Sequence, residues 1–288
     1  DAPDFNLGLE KKLRRGGIRT AHYVSPTIWV WRAGRARKVA RAADTVLCIL
    51  PFEPPLYADH DINAVFVGHP KADEAPDIVD TQAARRHLGI AASEVVAVMP
   101  GSRSSEVGRL GGLLAATMRR LAAARPGLHF VIPAARPDLR DTITVQLADA
   151  DVDPQRVTLL DGGAMQAMSA ADVILQASGT AVLEAAMLRK PTVAAYRVAP
   201  FTYWLGRHVF RIRLEHFTLP NLLTKEPLVP EFIQGDAEPG PLADAVLGLL
   251  DDPQRRQFIS DRFDRLRQAL ALDADQRAAN AVLELARS

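Results

Sequence analysis

Cysteine is almost missing from this chain. One residue, Cys48, in 288 excludes a disulfide framework and a cysteine-built metal centre. No apolar run reaches the ~18–20 residues of a membrane-spanning helix. The seven histidines are scattered, without the His-x3-His or His-Glu-x2-His spacing of a metal site. Three nucleotide and hydrolase signatures are also absent: the Gly-x-Gly-x-x-Gly dinucleotide fingerprint, the Gly-x4-Gly-Lys-Ser/Thr phosphate loop and the Gly-x-Ser-x-Gly nucleophile elbow. There are no internal repeats and no low-complexity tracts. The chain opens Asp1-Ala2-Pro3-Asp4 with no initiator methionine. That start reads as part of a longer protein, so the lack of a targeting segment carries no information.

What is present is a globular composition, 48% hydrophobic and 24% charged, in a length that suits two domains. The net charge of +1 hides an asymmetry. Residues 1–43 hold ten basic side chains against three acidic ones, a local net of +7. Such a patch suits phosphate groups, an anionic membrane surface or nucleic acid, or is a solvated face balanced by acids elsewhere. Nucleic acid fits least, because aromatics are not interleaved with the basic residues.

Short β-rich runs alternate with amphipathic stretches, the pattern of parallel sheets wrapped by helices. Strands are expected at 19–24, 45–50 and 64–67, with helices at 9–15 and 33–43. After an acidic, proline-containing stretch at 72–93, which holds a short helix near 81–88, a second series begins. Its strands fall at 95–99, 129–133, 157–160, 173–176 and 192–196. Its helices fall at 110–124, 138–150, 164–170 and 181–188. A Pro/aromatic stretch, 198–231, precedes two terminal helices at about 240–250 and 252–286. The expected division is 1–75, 76–270, and a terminal helix at 271–288 that packs back on the first part or on a partner chain.

Ligands of open parallel sheets bind beyond the C-terminal strand ends, where backbone N–H groups and helix N-termini gather. Three segments sit there. In Pro100-Gly101-Ser102-Arg103-Ser104-Ser105-Glu106, the glycine permits close approach, the serines offer donors and Arg103 offers a fork that matches phosphate oxygens. The same turn is also suited to plain helix capping. In Ser178-Gly179-Thr180, a tight turn opens a helix, with Glu184 one turn further placed to accept hydrogen bonds from ribose hydroxyls. Thr180 as a cap and Glu184 as a dipole-offsetting acid is the structural alternative. The third segment is Tyr196-Arg197, followed by Leu219-Pro220-Asn221, where Asn221 is a ligand group or a turn former.

An ordered set of motifs resembles the lipid-A-disaccharide synthase family over essentially the whole chain. The set comprises Asp-Ala-Pro-Asp-Phe-Asn (1–6), Tyr-Val-Ser-Pro-x-x-Trp-x-Trp-Arg (23–32), Leu-Pro-Phe-Glu (50–53) and Pro-Gly-Ser-Arg-x-x-Glu-Val (100–107). It continues with Ala-Ser-Gly-Thr-Ala-x-Leu-Glu (177–184), Tyr-Arg-x-x-Pro-Phe-Thr-x-Trp-Leu (196–205) and Leu-Pro-Asn-Leu-Leu (219–223).

The resemblance implies an α/β fold of GT-B type: two Rossmann-like domains, the first incomplete here, with the sugar-nucleotide site in the second. It implies transfer of 2,3-diacylglucosamine from UDP to 2,3-diacylglucosamine 1-phosphate with inversion, releasing UDP, with no metal or other cofactor. It also implies peripheral attachment to the cytoplasmic side of an anionic inner membrane. By position, Asp1 matches the family's favoured general base, Arg103 its diphosphate arginine and Asn221 the asparagine of its Leu-Pro-Asn turn. Ser102, Glu106, Ser178, Gly179, Thr180, Glu184 and Tyr196 complete the expected substrate-binding set. From the residues alone, Asp1 or Asp4 can serve as the base. With part of the first domain missing, the 288-residue chain is expected to be inactive and to expose apolar surface. A homo-oligomer is compatible with this reading. Two alternatives are another UDP-sugar enzyme of the same fold, such as an N-acetylglucosaminyltransferase or epimerase, and a non-catalytic nucleotide-binding membrane adaptor.

Overall fold

The computed structural model describes residues 3–28, 34–197 and 216–287. They form two compact units, residues 3–75 with 267–287, and residues 76–197 with 216–266.

The first unit is built on three parallel strands, β1 (Ala21–Tyr23), β2 (Thr45–Cys48) and β3 (Asn63–Phe66), in the order β1-β2-β3. Thr-Val-Leu-Cys is apolar at nearly every position and is buried throughout, as a central parallel strand requires. Helix α1 (Pro3–Arg15) starts six residues earlier than expected. A proline in the first turn, Asp4 behind it and Lys12, Arg14 and Arg15 in the last turn all suit the helix dipole. It stops at Gly17, whose φ of +81° and N–H bond to the Arg14 carbonyl close the helix end. Leu7 anchors it in a core with Val39 of α2 (Gly34–Ala40), Val46 and Tyr57.

After β3 the chain turns at Gly68 (φ +97°), where a Cβ would lie 2.9 Å from the Leu270 carbonyl oxygen. Only glycine fits there. The short helix α3 (Pro70–Asp73) follows, and α4 (Thr81–His87) opens the second unit behind an Asp80 cap.

The second unit carries β4 (Val95–Met99), α5 (Ser104–Ala124), β5 (His129–Ala134), α6 (Pro137–Asp149), β6 (Val157–Asp161) and α7 (Ala164–Ala170). It continues with β7 (Val173–Ala177), α8 (Thr180–Met187), β8 (Thr192–Tyr196), α9 (Leu219–Thr224), β9 (Glu231–Ile233) and α10 (Pro239–Asp251). Its six strands are all parallel, in the order β6-β5-β4-β7-β8-β9. The order reverses between β4 and β7, the doubly wound arrangement whose ligand crevice lies at that reversal. Alternation along β4 sends Ala97 and Met99 to the α7/α8 face, with Met168, Ile174 and Leu188. Val98 points the other way, with Ile132, toward α5 and α6.

Three details depart from the sequence reading. Strand β9 lies in the stretch read as irregular, because three half-buried edge residues carry almost no periodic signal. Helix α5 begins at Ser104 rather than 110, so Ser104, Ser105 and Glu106 form its first turn. The last helix is two, α11 (Pro253–Leu270) and α12 (Ala274–Arg287), separated at Asp273 with φ +58°. Asp73 caps α12, its carboxylate accepting from the N–H groups of Asp273 (3.1 Å) and Ala274 (2.8 Å).

Arg85 fastens the N-terminal ends of the central strands. Its guanidinium donates to the carbonyls of Ala170 (2.8 Å) and Ser93 (3.0 Å) and to Asp172 (2.7 Å), which also accepts from Val95 N–H (2.8 Å). The arginine side chain is only 4% exposed. Arg85→Ala strands a carboxylate and two carbonyls, and is expected to cost about 3–5 kcal/mol in urea unfolding. A loss under about 1 kcal/mol contradicts this role.

Candidate functional site

The pairing of β4 with β7 and of β7 with β8 decides which turns become neighbours. Met99 lies opposite Gln176, Gln176 opposite Ala194, and Ala177 opposite Ala195. The turns after Met99, Ala177 and Tyr196 therefore leave one edge side by side, roughly 5 Å per strand apart.

In the first turn, Gly101 has φ +115°, and a Cβ would lie 2.7 Å from the Glu106 side chain. Glu106 folds back into the turn and accepts from Ser102 N–H (3.1 Å), Arg103 N–H (3.3 Å) and Arg103 Nη1 (2.7 Å). Burial by itself raises this carboxyl, but those three donors outweigh it and hold it below the ordinary glutamate value. Glu106 thus works as a cap and tether of the turn. Arg103 keeps 77% of its side chain exposed, so the tether is its only hold among the described residues. The donors of the turn already gather around one anionic group, which is what a phosphate oxygen needs.

The second turn is differently built. Ser178 N–H donates to the Ala195 carbonyl (2.8 Å), then Gly179 caps α8 without a side-chain bond. The hydroxyl of Thr180, the first helical residue, makes no capping bond, so the positive end of α8 is left open. Gly179 is extended (φ 170°), and a Cβ on it would meet nothing within 4 Å. The fold itself does not demand glycine there. Glu184, one turn along, is half-buried, and no described residue bonds its carboxylate.

At the third turn, Tyr196 is 37% exposed and packs on Phe217, ring centroids 5.8 Å apart. Burial and then the Glu106 charge raise its hydroxyl above the ordinary value. Arg197 is committed to the fold, donating to the carbonyls of Gln234 and Ala237. Asn221 is held within the fold. It is 1% exposed, its Nδ2 donates to the Val229 carbonyl (2.8 Å), and its Oδ1 accepts from Val229 N–H (2.9 Å). The amide ties two backbone segments together.

Arg136, which the sequence reading passed over, also reaches this edge. It is gripped by Asp138 (2.9 and 2.7 Å) and donates to Ser104 Oγ (2.8 Å) at the start of α5. An arginine two residues after a strand and directly before a helix-opening proline was the available signal. Asp1, with the Trp29 and Trp31 motif and the aromatics at 201–204, lies outside the described residues. Asp4 is in α1 and pairs with Lys38 at 3.2 Å.

In the first unit the motif residues Ser25, Leu50 and Glu53 make buried hydrogen bonds just beyond the strand ends. Ser25 Oγ and Tyr57 Oη are 2.7 Å apart, and Leu50 N–H donates to Glu53 (3.0 Å). Glu53 is 2% exposed, and burial pushes its carboxyl up to about 7.

A family model described as lipid-A-disaccharide synthetase matches residues 1–285. The chain belongs to the lipid-A-disaccharide synthase family. The lipid-A-disaccharide synthase of Xanthomonas campestris pv. campestris (strain 8004) is 44% identical over 286 residues, 99% of this chain and 65% of that protein. That of Xylella fastidiosa (strain M23) is 46% identical over 286 residues, 99% of this chain and 74% of its own length. The chain thus spans about two thirds to three quarters of these relatives. Among solved structures, Anabaena HepE in complex with UDP and glucose aligns with TM-score 0.57 at 16% identity, covering 96% of this chain and 74% of that one. This likeness shows the fold, the GT-B type of two Rossmann-like units.

Glu53 gives a pH test. A carboxyl raised from 4.5 to about 7 binds its proton more tightly folded than unfolded. Its contribution is therefore full below about pH 4.5 and is lost as pH rises through about 7. Relative to Glu53→Gln, the unaltered chain is expected to lose on the order of 2–3 kcal/mol between pH 5 and pH 8. A pH-independent difference between the two contradicts the assignment.

Proposed function

We propose that this chain is the sugar-nucleotide-binding part of an inverting glycosyltransferase. The enzyme moves 2,3-diacylglucosamine from UDP to the 6-hydroxyl of 2,3-diacylglucosamine 1-phosphate. The observation that carries the reading is the pairing of two turns at the strand-order reversal. One presents Ser102 and Arg103 around an anionic group, the other an uncapped helix start. Family membership and the UDP bound to the HepE structure support the same ligand class.

The chemistry is a single displacement. The acceptor oxygen forms a bond to the anomeric carbon from the side opposite the phosphate, and the bond from that carbon to the phosphate oxygen breaks. The electron pair leaves with UDP, and the acceptor proton passes to a carboxylate, the role proposed for Asp1. Charge grows on the β-phosphate as the bond breaks, so donors fixed around it favour the transition state over the bound donor. Arg103, the N–H groups of its turn and the open end of α8 supply them, with Ser178 and Thr180 hydroxyls beside them. Gly179, with open space where a Cβ would be, admits the diphosphate close to the backbone. Glu184 accepts from the ribose hydroxyls, and Tyr196 borders the sugar.

The proposed location is the cytoplasmic face of an anionic inner membrane. Among the described residues no helix is long and apolar enough to cross a membrane. Support for surface attachment comes from the first unit, where five basic side chains, Lys11, Arg14, Arg15, Arg37 and Arg41, outnumber Asp59 and Asp61 around a pocket of about 470 Å³.

The test is an assay of the full-length protein carrying this sequence, with acylated UDP-glucosamine and the acylated sugar phosphate. Release of UDP with formation of the disaccharide is expected, and a donor lacking the 2,3-acyl chains should turn over poorly. Asp1→Asn is expected to lower kcat about 10²–10⁴-fold with little change in KM. Arg103→Ala should lower kcat about 10²-fold or more. Equal turnover of non-acylated donor, or full activity in both variants, contradicts the proposal.

A further inference from the structure

Gln176 lies near the C-terminal end of β7. It is 0% exposed, and neither its Oε1 nor its Nε2 has a hydrogen-bond partner. Burying a primary amide with both ends empty is unfavourable, and a leucine or methionine would suit an apolar core better. The fold alone therefore offers no reason for glutamine here.

Its position offers one. Gln176 is the last residue but one of β7, opposite Met99 on one side and Ala194 on the other, at the edge where the strand order reverses. Alternation puts it on the same sheet face as Ile174, whose surroundings toward the N-terminal strand ends are Ala97, Met168 and Leu188, all apolar. Hydrogen-bonding groups lie in the other direction. There the Ser178–Thr180 turn opens α8, and Gly162 and Gly163, both at positive φ, lead into α7 on this face. Three rotatable bonds allow the amide to swing toward that edge without any backbone change.

We infer that Gln176 is a binding residue of the nucleotide pocket and that its amide engages the base of the bound uridine nucleotide. This rests on the UDP-sugar reading above. The side-chain carbonyl accepts and the NH2 donates from adjacent atoms, and the imide edge of uracil presents an N–H donor beside a carbonyl acceptor. The two edges are complementary. The phosphate turn already has its own donors, Arg103 and the α8 N-terminus, so the base is the moiety left for a neutral amide.

The test is calorimetric titration of the 288-residue chain, unaltered and as Gln176→Leu and Gln176→Met, with UDP and separately with inorganic pyrophosphate. Melting temperatures are read in parallel. Removing the amide is expected to weaken UDP binding roughly tenfold, to leave pyrophosphate binding unchanged, and to leave Tm unchanged or raised. Unchanged UDP affinity in a variant of equal or higher Tm overturns the inference, leaving Gln176 an unsatisfied core residue. Parallel loss of UDP and pyrophosphate affinity also overturns it, as does lost affinity with a lowered Tm in both variants, since each marks a structural role. If the unaltered chain binds pyrophosphate but not UDP, or neither, the UDP-sugar reading itself falls and takes this inference with it.

Discussion

The parallel register of β4, β7 and β8 is the constraint on which the site depends. Because Met99, Gln176 and Ala194 stand in line across three hydrogen-bonded strands, the turns that follow must emerge together. Parallel strands impose this without any further contact, since each chain leaves its strand at the same edge. What holds the register lies at the opposite edge, where Arg85 and Asp172 pin the start of β4 to that of β7. Lys190, buried against Thr81 and the Ala171 carbonyl, ties α4 to the chain just before β8. Buried structural charge is thus gathered at the N-terminal strand ends, and exposed donors at the other edge.

The open donors are kept in order by the protein's own anion. Glu106 neutralises Arg103 and occupies N–H groups of the turn, so the loop has a defined shape without ligand. An incoming diphosphate, with more charge than one carboxylate and with the uncapped start of α8 in addition, competes for the same guanidinium. Exposure of Arg103 means that this exchange needs a side-chain rotation and little more. A preorganised loop with a movable cation lowers the reorganisation that accompanies charge development on a leaving group.

Much of this was readable from residue order. Strands such as Val95–Met99 and Val173–Ala177 are unbroken apolar runs, and buried parallel strands have few other ways to look. The turns announce themselves through Gly101 and Gly179. Harder to read was anything decided by a partner distant in sequence or by the absence of one. Asn221 reads from sequence as a ligand group or a turn former, because its partner, Val229, is met only when α9 packs beside the following segment. Arg136 meets Ser104 across 32 residues. The reach of Glu106 back to Ser102 and Arg103 is local and follows helix-capping spacing, so that reading of the turn was open from residue order. Gln176 passed as an ordinary strand residue, because an empty hydrogen-bonding shell leaves no trace in a sequence.

The central claim is that the turns after β4 and β7 hold one nucleotide diphosphate between them. A crystal structure of the chain with UDP tests it most directly. Diphosphate oxygens are expected within hydrogen-bond distance of the Ser102 turn and the α8 N-terminus, with the Arg103 guanidinium moved off Glu106 and onto phosphate. UDP bound elsewhere, or bound there with Arg103 still paired to Glu106 and facing solvent, contradicts it.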